Sequence, residues 1–344
     1  MTNSWTGMAR WMTAAVVAAA VVAGAGVPAS AAAPGASAVA PAAGRVDPAA
    51  LREALSGLPD DHVRGAMVRV TGRDGQWSGT AGEWTGSADS AFATGSVTKL
   101  FTSAVVLQLV GEGRLSLDDT VQGLLPGLLP ESYAPITVGQ LLSHTSGLQK
   151  PTCVRPGTPV EIVTSAVSCG TPTAPGKAVQ YNGINYFVLG LAIEKVTGRT
   201  YAEELDDRVL RPLGLRHTRL QADDWAWAEG GLVSDAADLR RFMTALIRGG
   251  LLRPAERRLL FALPAVPGAN FSYGGLMAFR LDSGLVVWGK TGSHGGHANG
   301  VFTTPGLDRV LVYSVLPTGK DAREEIARIE KITDAAFSGV SSAG

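Results

Sequence analysis

Chemistry first becomes conceivable in this chain at Ser96-Val97-Thr98-Lys99. Small residues, Phe92-Ala93-Thr94-Gly95, lead into the serine, and an apolar-periodic segment with Leu100, Val105, Leu107, Leu109 and Val110 follows. The pattern predicts a loop that delivers Ser96 to the first turn of a buried helix. Free N–H groups and partial positive charge at such a terminus favour an oxygen nucleophile as its anion develops. Lys99, three residues on, shares a helix face with Ser96. A desolvated lysine loses its proton readily and can then accept one from a hydroxyl. A serine-x-x-lysine string also arises by chance, as a helix cap beside a solvated lysine. Two later strings bear on the choice: Tyr181-Asn182-Gly183 and Lys290-Thr291-Gly292.

The elements that must bring these three strings together read as strands at both ends and helices between. Val63 to Thr71 and Gln76 to Trp84 alternate around Gly72-Arg73-Asp74-Gly75, a hairpin signal. Leu100 to Gly111 is a buried helix. Thr137 with Gln140, and Thr200 with Glu203, have the spacing of capping boxes. Pro151 to Lys177 reads as one long loop, and Ile184 to Thr197 returns to helical period. Ser234 is placed to cap a helix running to Gly249-Gly250. Strands resume from Tyr273 to Arg280, Leu285 to Gly289, Val301 to Thr304 and Arg309 to Leu316, before an amphipathic helix over Ala322 to Phe337. This is not an alternating strand–helix rhythm. It predicts an α+β fold, with an antiparallel sheet built from both termini, flanking helices and a mainly helical subdomain inserted in the middle. The sheet part is expected over 47–95 and 262–344 and the helical part over 96–261. Ser96 then falls at their junction, where a cleft opens.

The 344 residues allow one large domain or two packed subdomains. Thirty basic and thirty acidic residues cancel without a basic stripe, which argues against a nucleic-acid partner. Arg10, the Ala/Val-rich run from Trp11 to Val27 and Ala29-Ser30-Ala31 read as a signal peptide over 1–31, with a flexible leader over 32–46. The alternative is an uncleaved membrane anchor; no cysteine near the cleavage site supports a lipid anchor. The chain is thus expected to be secreted by a bacterium, extracellular or associated with the cell wall, with no stable membrane anchor after processing. In that compartment the two cysteines, Cys153 and Cys169, are expected to pair, a bridge worth roughly 3 kcal/mol in the chain-entropy model. A catalytic thiol has no supporting context, and no Cys/His set has zinc spacing.

Ser96-x-x-Lys99 followed by Lys290-Thr291-Gly292 is a signature of β-lactamases and penicillin-binding proteins. With Gly113 to Asp119, Leu141 to Leu148, Asn185-Tyr186 and Gly231-Leu232-Val233-Ser234, the chain resembles the family of class C β-lactamases and serine D-alanyl-D-alanine carboxypeptidases. The likeness runs through nearly everything after the leader. It implies a β-lactamase/transpeptidase-like fold and an acyl-enzyme on Ser96. Lys99 would accept the serine proton, kept neutral or sharing a proton, and Tyr181 would pass it to the leaving amine. Lys290 would supply positive charge toward Tyr181 and a substrate carboxylate, and Thr291 a hydroxyl to it. The backbone N–H groups of Ser96 and Ser293 would form the oxyanion hole. No cofactor is implied. The substrate would be peptidyl-D-Ala-D-Ala or a related small acyl compound, with β-lactams as ligands.

One departure stands out. The family's middle motif is Tyr-x-Asn, and the third position here is Gly183. A β-lactamase stands beside a carboxypeptidase, since the sequence does not separate how water reaches the ester; the missing asparagine, which normally contacts the lysine and the substrate amide, adds an esterase on the same fold and a non-catalytic binding protein. Asn182, His294 and His297 are candidates to line the cleft; the H-x-x-H pair suggests metal only weakly, with no third ligand evident. His144 is read as a structural hydrogen-bonding residue, and Trp225 and Trp227 as packing aromatics.

Overall fold

A computed structural model describes residues 45–149, 153–155, 157–222 and 224–340. The expected signal peptide and nearly all of the expected leader lie outside these residues. In chain order, helix α1 (Pro48–Leu55) precedes the hairpin β1 (Val63–Gly72) and β2 (Gly75–Gly82). A short strand β3 (Phe92–Ala93) leads through a single tight turn, Gly95–Val97, into helix α2 (Thr98–Gly111). Helices α3 (Pro159–Val167) and α4 (Ile184–Thr197) follow. Then come β4 (Arg219–Leu220), the short helix α5 (Trp227–Gly230), β5 (Leu232–Ser234) and helix α6 (Ala236–Arg248). Strands β6 (Met277–Arg280), β7 (Val286–His294), β8 (His297–Thr303) and β9 (Arg309–Pro317) complete the sheet, and α7 (Ala322–Phe337) ends it.

The six-stranded sheet runs β2-β1-β9-β8-β7-β6, antiparallel at every pairing. Its centre joins the two ends of the chain: Met67 pairs with Ser314 and Val70 with Leu311. Alternation sorts the side chains into two cores. Val68, Val70, Val287, Phe302, Leu311 and Val315 pack with α1 and α7, while Met67, Val301, Val310 and Val312 pack with the helical body. This is the α+β architecture expected.

Three local differences have physical causes. Within the segment read as one long loop, Pro159–Val167 is helical, opened by a Thr158/Glu161 capping box and a proline in its first turn. Helix α6 is capped by Asp235, not Ser234, because Ser234 belongs to β5 and pairs with Phe92; the Asp235 side chain accepts from the Asp238 N–H at 2.8 Å. A second, three-stranded sheet, β3-β5-β4, ties the approach to Ser96 into the helical body.

Strand β6 pairs with β7 only from Arg280↔Val286 to Met277↔Gly289. Beyond Gly289 that edge of β7, Lys290 to His294, has no strand neighbour among the described residues and faces the Ser96 turn. Two glycines permit the approach. A Cβ on Gly292 would stand 2.0 Å from the Thr94 carbonyl oxygen, and one on Gly95 (φ +52°) 2.6 Å from the Ser293 nitrogen. The nucleophile-bearing turn is therefore seated directly on the strand edge.

Candidate active site

Helix α2 carries its polar residues inside the protein. From Thr98 to Leu107 every side chain is buried, so each polar one needs a partner. Thr102 donates to the Ala228 carbonyl at 2.7 Å and shares a 2.8 Å bond with Tyr201; Ser103 meets Tyr186 at 3.1 Å. Lys99 is fully buried. Its ammonium donates to Ser96 Oγ at 3.0 Å, to the Glu229 carbonyl at 2.8 Å and to the Glu229 carboxylate. All three N–H donors are thereby used.

Charge state follows from these contacts. Burial works to lower the Lys99 pKa, but Glu229 and then Tyr181 outweigh it, and the group sits above the ordinary lysine value. Glu229 thus favours the ammonium form of Lys99, where the sequence reading expected a neutral or proton-sharing amine. Tyr181 is pushed the other way. Burial would raise its pKa, yet the charges of Lys290 and Lys99 bring it below the ordinary phenol value. Its hydroxyl oxygen is buried and makes no bond of full hydrogen-bond geometry among the described residues, while Ser96, Lys99 and Lys290 all lie within interacting range. Lys290 Nζ stands 4.7 Å and Lys99 Nζ 5.3 Å from the Tyr181 ring centre. Lys290 itself is lowered by burial, with Lys99 adding to the effect, and donates to the Thr291 carbonyl at 2.8 Å. Ser96, Lys99, Tyr181 and Lys290 thus converge from three segments.

A cavity of about 120 Å³ opens beside Ser96, Thr291, Gly292 and Ser293 and continues beneath α7, where Phe279, Phe302 and Ile329 make its wall apolar. The Ser293 backbone nitrogen lies against the Gly95–Ser96 turn. Thr291 lines this cavity, whereas Lys99, Tyr181 and Lys290 do not.

The other candidates are distributed differently. Asn182 does not line the cleft: it is buried, donates to the Leu148 and Gln149 carbonyls at 3.0 and 2.7 Å, and accepts from the Ile184 N–H at 2.9 Å. It pins the 148–149 segment to the start of α4. His297 also leaves the cleft, packing between Trp84 and Phe92 and meeting Ser314 at 3.1 Å. His294 remains near the mouth, its Nε2 2.6 Å from Asp224, whose carboxylate holds the imidazole pKa above the ordinary value. Cys153 and Cys169 form a disulfide with Cα atoms 6.0 Å apart. Trp227 packs against Phe187 and Tyr201. Among the described residues no helix is long and apolar enough to cross a membrane.

His144 is structural, as read. Its Nδ1 accepts from the Asn182 N–H at 3.3 Å and from Asn185 at 3.0 Å, and the ring packs, tilted by 45°, with its centre 4.5 Å from that of Tyr181. Burial, then the charges of Lys99 and Lys290, keep it neutral, with a pKa well below 6.5. The unfolded chain takes up that proton first, so this contribution to stability is complete above about pH 6.5 and drains as pH falls. His297, lowered by burial and Arg64, acts in the same direction. Melting temperature is expected to fall between pH 6.5 and 5, and the slope to be shallower in His144→Asn, whose side chain suits the left-handed backbone at this position (φ 55°). An unchanged slope in the variant would remove His144 from this account.

The sequence reading missed Glu229. It stands on α5 between Ala228 and Gly230, and a carboxylate in so small and apolar a run is itself a signal. Trp227, two residues earlier, has φ +38°, a costly conformation for a bulky residue that sets the path of this helix.

Against known proteins, the family described as Beta-lactamase matches residues 49–334. Penicillin-binding protein 4 of Amycolatopsis lactamdurans is 35% identical over 139 residues, which cover 38% of this chain and 36% of that protein, so the match spans about a third of that relative. The crystal structure of a D-stereospecific amidohydrolase from Streptomyces sp. superimposes with a TM-score of 0.73 at 30% identity, covering 86% of this chain and all of the other. The D-amino acid amidase of Ochrobactrum anthropi SV3, at 22% identity and a TM-score of 0.70 over 79% of this chain and 96% of its own, shares the fold.

Proposed function

The chain belongs to the Beta-lactamase family, and on that premise we propose that it is an exported serine hydrolase working through an acyl-enzyme on Ser96. The observation that carries this is the contact of Lys99 Nζ with Ser96 Oγ at 3.0 Å beside the buried Tyr181 phenol. Ser96 Oγ accepts from Lys99, so its own proton is directed away from the ammonium, and the Tyr181 oxygen is the acceptor in range. Flanked by two cations, Tyr181 ionises more easily than an ordinary phenol and serves as the base. The serine oxygen bonds to the substrate carbonyl carbon while its proton passes to Tyr181. The developing oxyanion faces the Ser96 and Ser293 N–H groups. Tyr181 then protonates the leaving nitrogen as the C–N bond breaks. In the second half, water attacks the ester and gives its proton to Tyr181, and Ser96 leaves with a proton restored. Lys99 does not carry the proton; it holds Ser96 in place and keeps the phenolate stable.

The substrate class that fits is a small acyl compound with a D-configured residue at the scissile bond, as in a D-alanyl-D-alanine carboxypeptidase acting on peptidoglycan stem peptides. Lys290 and Thr291 at the β7 edge suit a terminal carboxylate. A second reading, a hydrolase of amides of D-configured residues, is favoured by the likeness to the Streptomyces amidohydrolase across that enzyme's whole length. Export to the bacterial envelope agrees with the disulfide.

The test is acylation followed over time by intact mass, with an activated p-nitrophenyl ester and with a penicillin. An adduct on Ser96 is expected with the ester, and Tyr181→Phe is expected to slow its formation about 10²- to 10⁴-fold. Absence of any Ser96 adduct would overturn the proposal. A Tyr181→Phe variant as fast as the parent would return the base role to Lys99.

A further inference from the structure

We infer that Glu229 and Gly183 together replace the asparagine of the Tyr-x-Asn motif, and that the exchange reverses what the acyl side of the substrate must present: a free ammonium beside the scissile carbonyl instead of an acylated nitrogen. The inference rests on the hydrolase reading above and concerns the substrate of that same site.

The two residues crowd each other. A Cβ at position 183 would lie 3.0 Å from Glu229 Oε2 and 3.5 Å from Oε1. An asparagine there would need the carboxylate, which Lys99 holds, to give by a few tenths of an ångström. Glycine at 183 and glutamate at 229 therefore form one unit, in which the carboxylate reaches the space a motif side chain would begin to fill.

The unit is not a chemical copy of an amide. An asparagine offers an acceptor and a donor. The acceptor serves the lysine, and the donor serves the substrate's acyl carbonyl. Glu229 supplies the first twice over, through its backbone oxygen and Oε2 on Lys99. It cannot supply the second. Its Oε1 makes no hydrogen bond among the described residues, and the side chain is 13% exposed. A substrate carbonyl oxygen brought against Oε1 meets lone pairs and leaves both groups unpaired. An ammonium brought there makes a charge-assisted bond, while the second carboxylate oxygen stays on Lys99.

The experiment compares D-alanine p-nitroanilide with N-acetyl-D-alanine p-nitroanilide at pH 7, where the free amine is largely protonated. The wild-type protein is expected to favour the free amine by about 10²-fold in kcat/KM, short of the 10⁴ or more of a fully enclosed polar pocket. Glu229→Gln is expected to bring that ratio to within about threefold of unity, whatever happens to the absolute rate. Gly183→Asn with Glu229→Ala, which restores the amide and removes the carboxylate, is expected to invert it. Because the readout is a ratio within one protein, loss of overall activity in a variant does not imitate the effect. Equal or better turnover of the N-acetyl compound by the wild type, or an unchanged ratio in Glu229→Gln, would overturn the inference while leaving the hydrolase intact. Failure of Ser96 to be acylated by any probe would instead overturn the hydrolase reading, and this one with it.

Discussion

Ser96→Ala is expected to give a folded protein that takes up no acyl group. The Ser96 hydroxyl contributes one bond to the site, from Lys99 at 3.0 Å, and Lys99 keeps both Glu229 contacts when that hydroxyl is gone. Little stability is therefore at stake, and the melting temperature should stay within a few degrees of the parent. Catalysis loses its nucleophile entirely. Where a serine acts with a proton-transfer partner, removing it alone costs about as much as removing the whole set, on the order of 10⁴- to 10⁶-fold in kcat. The measurement is ester turnover together with intact mass after incubation with the activated ester. An adduct that persists in Ser96→Ala would place the nucleophile elsewhere and dismantle the mechanism.

Lys99→Met is expected to damage both stability and activity, and a second substitution to separate the two. Methionine suits the length and the apolar surroundings of the site, so the principal loss is the ammonium. That loss strands the Glu229 carboxylate, 13% exposed, without its counter-ion. Removing one member of a buried pair costs about 3–5 kcal/mol. Adding Glu229→Gln removes the stranded charge, and urea unfolding should recover most of the difference. Activity should not return, because the phenolate of Tyr181 is stabilised by the cations beside it, and a drop of about 10³-fold or more is expected in both proteins. Recovery of turnover in the double variant would show that the positive charge at position 99 is dispensable.

What was legible in the sequence divides along a physical line. Local rules reached far: the capping boxes at Thr137 and Thr200 and the hairpin around Asp74-Gly75 stand as read. So does the terminal helix from Ala322 to Phe337, whose period alone sets its limits. Short motifs reached the site too, since Ser96 and Lys99 are one turn apart and their contact follows from helix geometry. Tertiary compensation was not legible. Glu229 is 130 residues from Lys99, and although a carboxylate in so small and apolar a run is a signal, nothing local links it to Lys99 or Gly183. The same blindness hid the distant carboxylate that bears on the charge of Lys99. It also left Asn182 as a cleft candidate, when its amide is spent on the backbone of Leu148 and Gln149. The helix over Pro159–Val167 was obscured for a different reason: proline- and threonine-rich composition outweighed a capping signal that was present.

The pairing of β1 with β9 bears on how such a chain reaches its folded state. Val63 finds its partner at Pro317 and Gly72 at Arg309, so every residue between them must be made before the first hairpin acquires that neighbour. Until then that hairpin exposes a long unpaired edge, open to mispairing. Contacts so remote in sequence close slowly. Truncation before Arg309 is thus expected to prevent assembly of the whole protein rather than trim it, since the Ser96 turn rests on a strand held in register through β8 and β9.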